Sequence, residues 1–131
     1  MDDKLKWGII IALAVAVIIG GFYWLWTAEQ ANGAKLDTLA TCISQSGAKM
    51  YGAFWCPHCQ NQKSMFNTLF GGAADKLPYI ECSTPDANGQ LDVCKNESIK
   101  TYPTWKFTDG SAIEGEATLQ MLADKTGCQF P

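Results

Sequence analysis

Hydrophobic positions follow two patterns, continuous before residue 28 and periodic after it. Residues 8–26 are apolar or aromatic, and nothing from Trp7 to Ala28 is charged. As a helix, residues 8–26 would extend about 28 Å, close to the hydrocarbon thickness of a bilayer. The pattern predicts a short N-terminal stub and a transmembrane anchor over residues 1–28. Aromatic residues gather at its far edge, as at membrane–water interfaces: Phe22, Tyr23, Trp24 and Trp26.

The charges that flank this segment predict its orientation. Lys4 and Lys6 precede it, and Glu29 is the first charged residue after it. Because basic residues are retained on the cytoplasmic side, we expect a single-pass protein with its N-terminus in the cytoplasm. The rest of the chain would then lie in the periplasm, at the cell surface or in an organelle lumen. The alternative is a cleaved signal peptide, but its apolar region is normally shorter and is followed closely by small residues.

The segments after residue 28 alternate between helical and strand periods. Residues 29–35 are small and polar and predict a linker to a domain over residues 36–131. The predicted order is helix, strand, helix, strand, helix, hairpin, helix, which is typical of an α/β fold with helices on a small mixed sheet. The predicted elements are a helix from Leu36 that Gly47 ends, a strand over 49–55, a helix from Pro57 that Gly71-Gly72 ends, with Met65, Phe66, Leu69 and Phe70 on its core face, a strand over 77–82, a helix over 91–99, strands over 104–107 and 112–113 around Asp109-Gly110, and a helix over 117–125.

Composition narrows the functional classes. The net charge is −3, so no basic surface is expected to bind nucleic acid. All six cysteines follow the apolar segment. An even number of cysteines in a short domain behind a membrane segment is typical of an oxidising compartment.

The motif Cys56-Pro57-His58-Cys59 falls where a predicted buried strand meets a predicted helix. Pro57 suits the first turn of a helix, and the unpaired N–H groups there stabilise a thiolate. We expect Cys56 to be the nucleophile, Cys59 the resolving thiol, and His58 a positive charge beside the pair.

Other uses of this motif are less favoured. Half a zinc site would need a second matched pair of ligands, and no second CxxC is present. A haem attachment site would need histidine in place of Gln60. A purely structural disulfide is also possible in principle, but a pair so close at a helix start would be strained and exposed. No metal or cofactor is therefore expected.

Two motifs together resemble the thioredoxin superfamily over residues 36–128, the run FWCPHC and the later run TYPTW. The resemblance implies a thioredoxin-like domain in which Pro103 is cis and its loop faces the cysteine pair to dock substrate. Pro103 is thus expected at the catalytic centre. The residues expected to bind substrate are Trp55, Pro57, Tyr102 and Thr104.

A narrower resemblance is carried by KMYGAFWCPHCQNQKSMF, then IEC, a further cysteine and YPTW. These runs are similar to the thioredoxin-like domain of bacterial vitamin K epoxide reductase homologues. The resemblance implies a stand-alone partner of such a membrane-embedded enzyme, with one helix in place of its membrane domain, or an anchored relative with another electron partner. The dipeptide Pro57-His58 is also that of DsbA-type oxidases, which implies an oxidising pair.

One position departs from the thioredoxin pattern. Many thioredoxins carry a buried carboxylate six residues before the first cysteine, and Met50 stands there in this chain. No acidic residue lies between Asp37 and Asp75. Proton transfer at Cys59 would then use water or another group, which favours an oxidant over a reductant.

The remaining cysteines suggest two structural disulfides. Cys82 and Cys94 are expected to close a loop of about a dozen residues. A second redox pair is the functional alternative. Cys42 and Cys128 would then pair by elimination, with two buried free thiols as the alternative.

The sequence therefore predicts a membrane-anchored thiol–disulfide oxidoreductase. It would oxidise protein thiols outside the cytoplasm and be reoxidised by a membrane partner. One rival is the same chemistry run as a reductant. Others are a metal-binding or metallochaperone module that uses the CPHC cysteines, and a structural assembly module.

Overall fold

A computed structural model gives the structure of residues 2–69 and 71–130. Four α-helices and six strands alternate along it, in an order close to the predicted one. The helices are α1 (Asp3–Gln45), α2 (Pro57–Ser64), α3 (Asp92–Asn96) and α4 (Leu119–Thr126), and the strands are β1 (Lys49–Gly52), β2 (Asn67–Thr68), β3 (Gly71–Gly72), β4 (Tyr79–Glu81), β5 (Thr104–Lys106) and β6 (Ala112–Glu114), with a 3₁₀ turn over Ala74–Lys76.

The main sheet has four strands in the order β4-β1-β5-β6. β1 runs parallel to β4 and antiparallel to β5, and β5 and β6 form a hairpin. The predicted α/β fold with a mixed sheet is confirmed. β1 is shorter than predicted because the chain leaves the sheet after Gly52 and turns towards α2.

Alternation along β1 places hydrophobic groups on both faces of the sheet. Met50 points into the larger core, with Trp105 and residues of α1 and α4. Tyr51 points into a smaller core with Ile99 and the Cys82–Cys94 disulfide. α1 and α4 therefore cover one face of the sheet, and α3 covers the other.

The helix α1 is continuous from Asp3 to Gln45. Residues 2–26 are exposed along their whole length, and α1 is long and apolar enough to cross a membrane. The predicted linker over residues 29–35 is helical and forms part of α1. Most of its residues are good helix formers, and the one glycine, Gly33, costs only about 1 kcal/mol. The division into an anchor and a domain stays a prediction.

The chain after α2 folds differently from the prediction. α2 ends at Ser64, and a small hairpin follows in which Asn67 pairs with Gly72. Phe66 is buried as expected, but Leu69 is exposed at the hairpin tip, and Phe70 lies outside the described residues. Any side chain at residue 72 would collide with Asn67, so this close pairing depends on Gly72.

Two disulfides cross-link the chain after residue 41. Cys42 near the end of α1 is bonded to Cys128 after α4, with Cα atoms 6.0 Å apart. Cys82 after β4 is bonded to Cys94 in α3, with Cα atoms 5.5 Å apart. The same pairs were expected from the sequence, where free thiols at the first pair remained an alternative.

Candidate active site

Cys56 lies at the junction between the sheet and α2. It is the residue that caps the N-terminus of α2, and Pro57 occupies the first turn. Its thiol donates to the carbonyl oxygen of Tyr102, 3.6 Å away. Cys56 and Cys59 are the two free cysteines among the described residues. Cys59, one turn further along α2, has no exposed surface.

The loop opposite Cys56 contains the expected cis bond, between Tyr102 and Pro103. The Pro103 side chain is buried, and its carbonyl oxygen accepts from the N–H of Gly115 at 2.7 Å. The carbonyl of Tyr102 is the group in contact with Cys56. The structure thus brings together the two motifs that are 46 residues apart in the sequence.

An apolar rim surrounds Cys56. Trp55 is 51% exposed, and its indole N–H donates to the hydroxyl of Ser83 at 2.9 Å. Tyr102 meets the Trp55 ring edge-on, with centroids 6.1 Å apart. Phe54 and Pro57 are also exposed here. These side chains present an apolar surface that an unfolded or extended polypeptide can cover.

Thr104 does not belong to this rim. It was expected to bind substrate, but its side chain is only 4% exposed. Its hydroxyl donates to the carbonyl oxygen of Thr101 at 2.6 Å. The β5 pleat turns this side chain inwards, and the part of Thr104 in substrate binding stays a prediction.

His58 is exposed and turns towards a carboxylate that the sequence did not reveal. Its Nδ1 lies 2.6 Å from Oε1 of Glu116. The amide of Asn61 also donates to this oxygen, at 3.4 Å. Glu116 follows β6, 58 residues after His58, and no local pattern connects the two.

The environment of Cys59 opposes its ionisation. Burial, with smaller contributions from contact with Cys56, raises the pKa of the Cys59 thiol to about 12. A backbone hydrogen bond from Ala53 and the charge of Lys63 lower it in part. Both cysteines are buried, but Cys56 keeps 6% of its surface exposed beside the Tyr102–Pro103 loop, whereas Cys59 has none.

A cluster of three side chains packs next to Cys59, and we call it the Tyr79 cluster (Lys63, Tyr79 and Glu81). The Lys63 ammonium lies 3.4 Å from the centre of the Tyr79 ring. The Tyr79 hydroxyl donates to Oε2 of Glu81 at 2.9 Å, and burial and then this carboxylate raise the pKa of Tyr79. Gly52 makes room, since a Cβ there would lie 2.7 Å from the Cys59 sulfur and 2.8 Å from the Tyr79 ring.

Glu81 is a carboxylate near the motif that the sequence analysis did not place there. Met50 is buried on β1 as expected, without a carboxylate. Glu81 lies on the neighbouring parallel strand, in register with Gly52, and accepts from the backbone N–H groups of Phe54 at 3.2 Å and Ser83 at 2.8 Å. Pairing of the two predicted strands was the signal that could have placed this carboxylate beside the motif.

Gln62 is a second residue that sequence reasoning missed. It is fully buried in α2. Its amide N–H donates to the carbonyl oxygen of Ala117, and its oxygen accepts from the N–H of Ala117 at 2.6 Å and from the indole of Trp105 at 3.3 Å. These bonds hold the active-site helix against β5 and the loop before α4.

The arrangement is suited to dithiol–disulfide exchange. A sulfur at a helix start that keeps a small exposed area and a fully buried sulfur one turn away can form a disulfide or release one. Within residues 2–69 and 71–130, no group of three or more His, Cys, Asp or Glu side chains is placed to hold a metal ion.

Comparisons with known proteins identify a matching family and a similar curated protein. The family model described as Thioredoxin matches residues 48–125. The "Thiol-disulfide oxidoreductase LTO1" of Arabidopsis thaliana is 43% identical over 93 residues, a match that covers 68% of this chain and 23% of that protein. The chain thus spans less than a quarter of the length of this curated relative.

Proposed function

The chain belongs to the thioredoxin family, and we propose that it is a protein thiol–disulfide oxidoreductase, anchored in a membrane, that oxidises protein thiols outside the cytoplasm. The observation that carries the proposal is the pair of free cysteines at the start of α2, with Cys56, which keeps 6% of its surface exposed, against the cis-proline loop and a fully buried Cys59 behind it. The family match and the name of the Arabidopsis relative both support this chemistry.

The reaction begins with a Cys56–Cys59 disulfide. A substrate thiolate attacks the Cys56 sulfur, the bond between the two cysteines breaks, and Cys59 leaves and takes up a proton. The substrate's second thiolate then attacks the substrate sulfur of the mixed disulfide and expels the Cys56 thiolate. Two electrons pass from the substrate to the pair. We assign Pro103 and the rim of Trp55, Pro57 and Tyr102 to substrate binding, and His58 and the start of α2 to the thiolate of Cys56.

The two other disulfides support a location in an oxidising compartment. Cys42–Cys128 and Cys82–Cys94 are both formed, and such bonds persist in oxidising compartments. The Pro57-His58 dipeptide adds the resemblance to DsbA-type oxidases. A reductant with the same site is the main rival, and the reduction potential distinguishes the two.

The test of direction is equilibration of the full-length protein in glutathione buffers, with the pair quantified after thiol trapping. We expect a potential of about −120 mV, as in DsbA, and a value of about −270 mV, as in thioredoxin, would contradict an oxidant. A parallel assay follows oxidation of a reduced substrate protein. Cys56→Ser should abolish that activity, whereas the matched pair of substitutions Cys82→Ser and Cys94→Ser should retain it if those cysteines are structural.

For localisation and partners, we propose that residues 8–26 span the bilayer with the N-terminus in the cytoplasm. The basic flank of Lys4 and Lys6 supports this orientation. By resemblance, a membrane-embedded vitamin K epoxide reductase-like enzyme reoxidises the pair. A Cys59→Ala variant should trap protein partners as mixed disulfides with Cys56, and recovery of such an enzyme among them would support this partner. Recovery of soluble substrates alone would count against it.

A metal-binding role for the motif has less support. His58, the third ligand that such a site would use, is engaged by Glu116 and not by the cysteines. Metal titration of the reduced protein separates this alternative, since tight stoichiometric binding without oxidase activity would favour it.

A further inference from the structure

Leu69, the residue after β2, is an apolar side chain that lies outside the core formed by the described residues. Leu69 is 81% exposed, more than any of the exposed large apolar side chains between residues 5 and 26 of α1. The flanking strands Asn67–Thr68 and Gly71–Gly72 pair with one another and not with the main sheet. Packing within the domain therefore does not explain an apolar residue at this position.

The hairpin is held against α1 at a defined height. A Cβ on Gly33 would lie 3.9 Å from the Thr68 side chain. The next residue, Leu69, donates its backbone N–H to Oε2 of Glu29 at 3.2 Å. Gly33 and Glu29 are one helical turn apart, so the hairpin runs along α1 towards the apolar segment.

This height coincides with the predicted membrane surface. Glu29 is three residues beyond Trp26, the last of the clustered aromatic residues. Three residues of helix rise only about 4.5 Å. The polar layer on each side of a bilayer core is deeper than this, because a bilayer is about 40–45 Å thick in all and its core about 30 Å. The tip is therefore at the depth of the headgroups if the aromatic residues mark the interface.

The charge pattern of the segment fits such a position. Between Lys63 and Asp75 no residue of the sequence is charged. The Glu29 carboxylate, the charge nearest to the tip on α1, accepts the hydrogen bond from Leu69. No ionic group of the hairpin itself would have to lose its hydration on contact with lipid.

We propose that the β2–β3 hairpin inserts Leu69 into the lipid interface as a second membrane contact beside α1. The inference rests on the proposed membrane anchor and adds an interaction surface to it. A single helix leaves the protein free to rotate and tilt, whereas a second contact to one side fixes which face of the domain is turned to the bilayer. The eight-residue helix α2 separates this contact from Cys56, so the redox pair is held at the end of α2 away from the hairpin.

The test places a fluorescent label at three positions of the full-length protein in phosphatidylcholine vesicles. Leu69→Cys, Trp26→Cys and Val93→Cys are each made in a background with Cys56→Ser and Cys59→Ser and labelled with the same environment-sensitive dye. Val93 is the matched control, because it is an exposed aliphatic residue on α3, across the sheet from α1. Quenching is measured with lipids that carry a nitroxide near the top of the acyl chain.

The proposal expects about two-fold or greater quenching at residues 26 and 69, with emission shifted to the blue, and little at residue 93. Quenching at residue 26 without quenching at residue 69 would overturn the hairpin contact and leave the anchor in place. Equal quenching at residues 69 and 93 would also overturn it, since the dye itself would then be the cause. Absence of quenching at all three positions would contradict the anchor and, with it, this inference.

Discussion

Burial of a single thiol sets the chemistry of Cys59. Its pKa is raised from 9.0 to about 12, chiefly because the core is a poor solvent for the thiolate. In a Cys56→Ser variant, we expect the rate of Cys59 alkylation by iodoacetamide to climb about tenfold for each pH unit above 9 without reaching a plateau. The unfolded protein in urea is the control and should level off near pH 9. A plateau at that pH in the folded protein would contradict the assignment.

The same shift makes a prediction for stability. Between pH 9 and 12 the unfolded state has lost the Cys59 proton while the folded state keeps it, so the reduced protein should become less stable as the pH rises. A Cys59→Ala variant lacks this titrating group, so its stability should decline less as the pH rises.

Lys63→Met should raise the pKa of Cys59 further, since the Lys63 ammonium lowers it. Lys76→Met, which removes a partner of Asp37, should leave the Cys59 pKa unchanged.

Gln62 illustrates the opposite case, a buried polar group with all its bonds made. Gln62→Leu would leave the indole of Trp105 and both backbone groups of Ala117 without this partner. We expect a loss of about 3 kcal/mol in the free energy of unfolding, measured by chemical denaturation. Gln120→Leu, on the exposed side of α4, should change it by less than about 0.5 kcal/mol. Equal effects of the two substitutions would show that the Gln62 bonds contribute little.

At the scale of elements, two glycines are expected to respond in opposite ways to the same substitution. Gly33→Ala should raise the free energy of unfolding by about 0.5–1 kcal/mol, because residue 33 is helical and its added methyl meets Thr68 at ordinary contact distance. Gly52→Ala should lower it by about 1–3 kcal/mol, because the methyl would displace the Cys59 sulfur and the Tyr79 ring. Denaturation of both variants in detergent micelles tests the sign of each, and a stabilised Gly52→Ala variant would refute the close packing around Cys59.

Local signals predicted the elements around the motif, and long-range contacts decided the rest. The β1–α2 junction was predictable because its signals, Pro57 and the apolar run before it, are adjacent in the sequence. The helix α2 was predicted to continue beyond Ser64 because Met65, Phe66 and Leu69 fit a helical period. In the structure Asn67 pairs with Gly72, and helical periodicity does not reveal such a contact. A linker was predicted over residues 29–35 because small polar residues are common in loops, although most of the residues in this particular segment also favour a helix.

At the scale of the whole molecule, the Cys42–Cys128 disulfide is expected to contribute more to the free energy of unfolding than Cys82–Cys94. It closes a loop with a sequence separation of 86, against 12 for Cys82–Cys94. In the chain-entropy model, replacement of the first pair by alanine should cost about 4.6 kcal/mol, and replacement of the second about 2.8 kcal/mol. Denaturation under non-reducing conditions gives the order, and a larger loss for the shorter loop would contradict it.

The candidate site was recognisable from the sequence only where its members are neighbours. Cys56, His58 and Cys59 are contiguous, and Pro103 was reached through a family resemblance. Glu81 and Glu116 come from β4 and from the loop after β6, and the sheet order that brings them in was not readable from the chain. The residues that surround a reactive pair thus follow from topology more than from motif.

Because α1 is one continuous helix, it limits how far the redox pair can move relative to the apolar segment. A flexible tether would let the domain sample a broad volume above the membrane and would set the effective concentration of its cysteines at each site within reach. A helix that passes directly from the apolar segment into the core has no such slack. With the proposed anchor in the membrane, encounters would be confined to a thin shell above the bilayer, and a partner thiol outside that shell would have to be brought to the pair by its own motion.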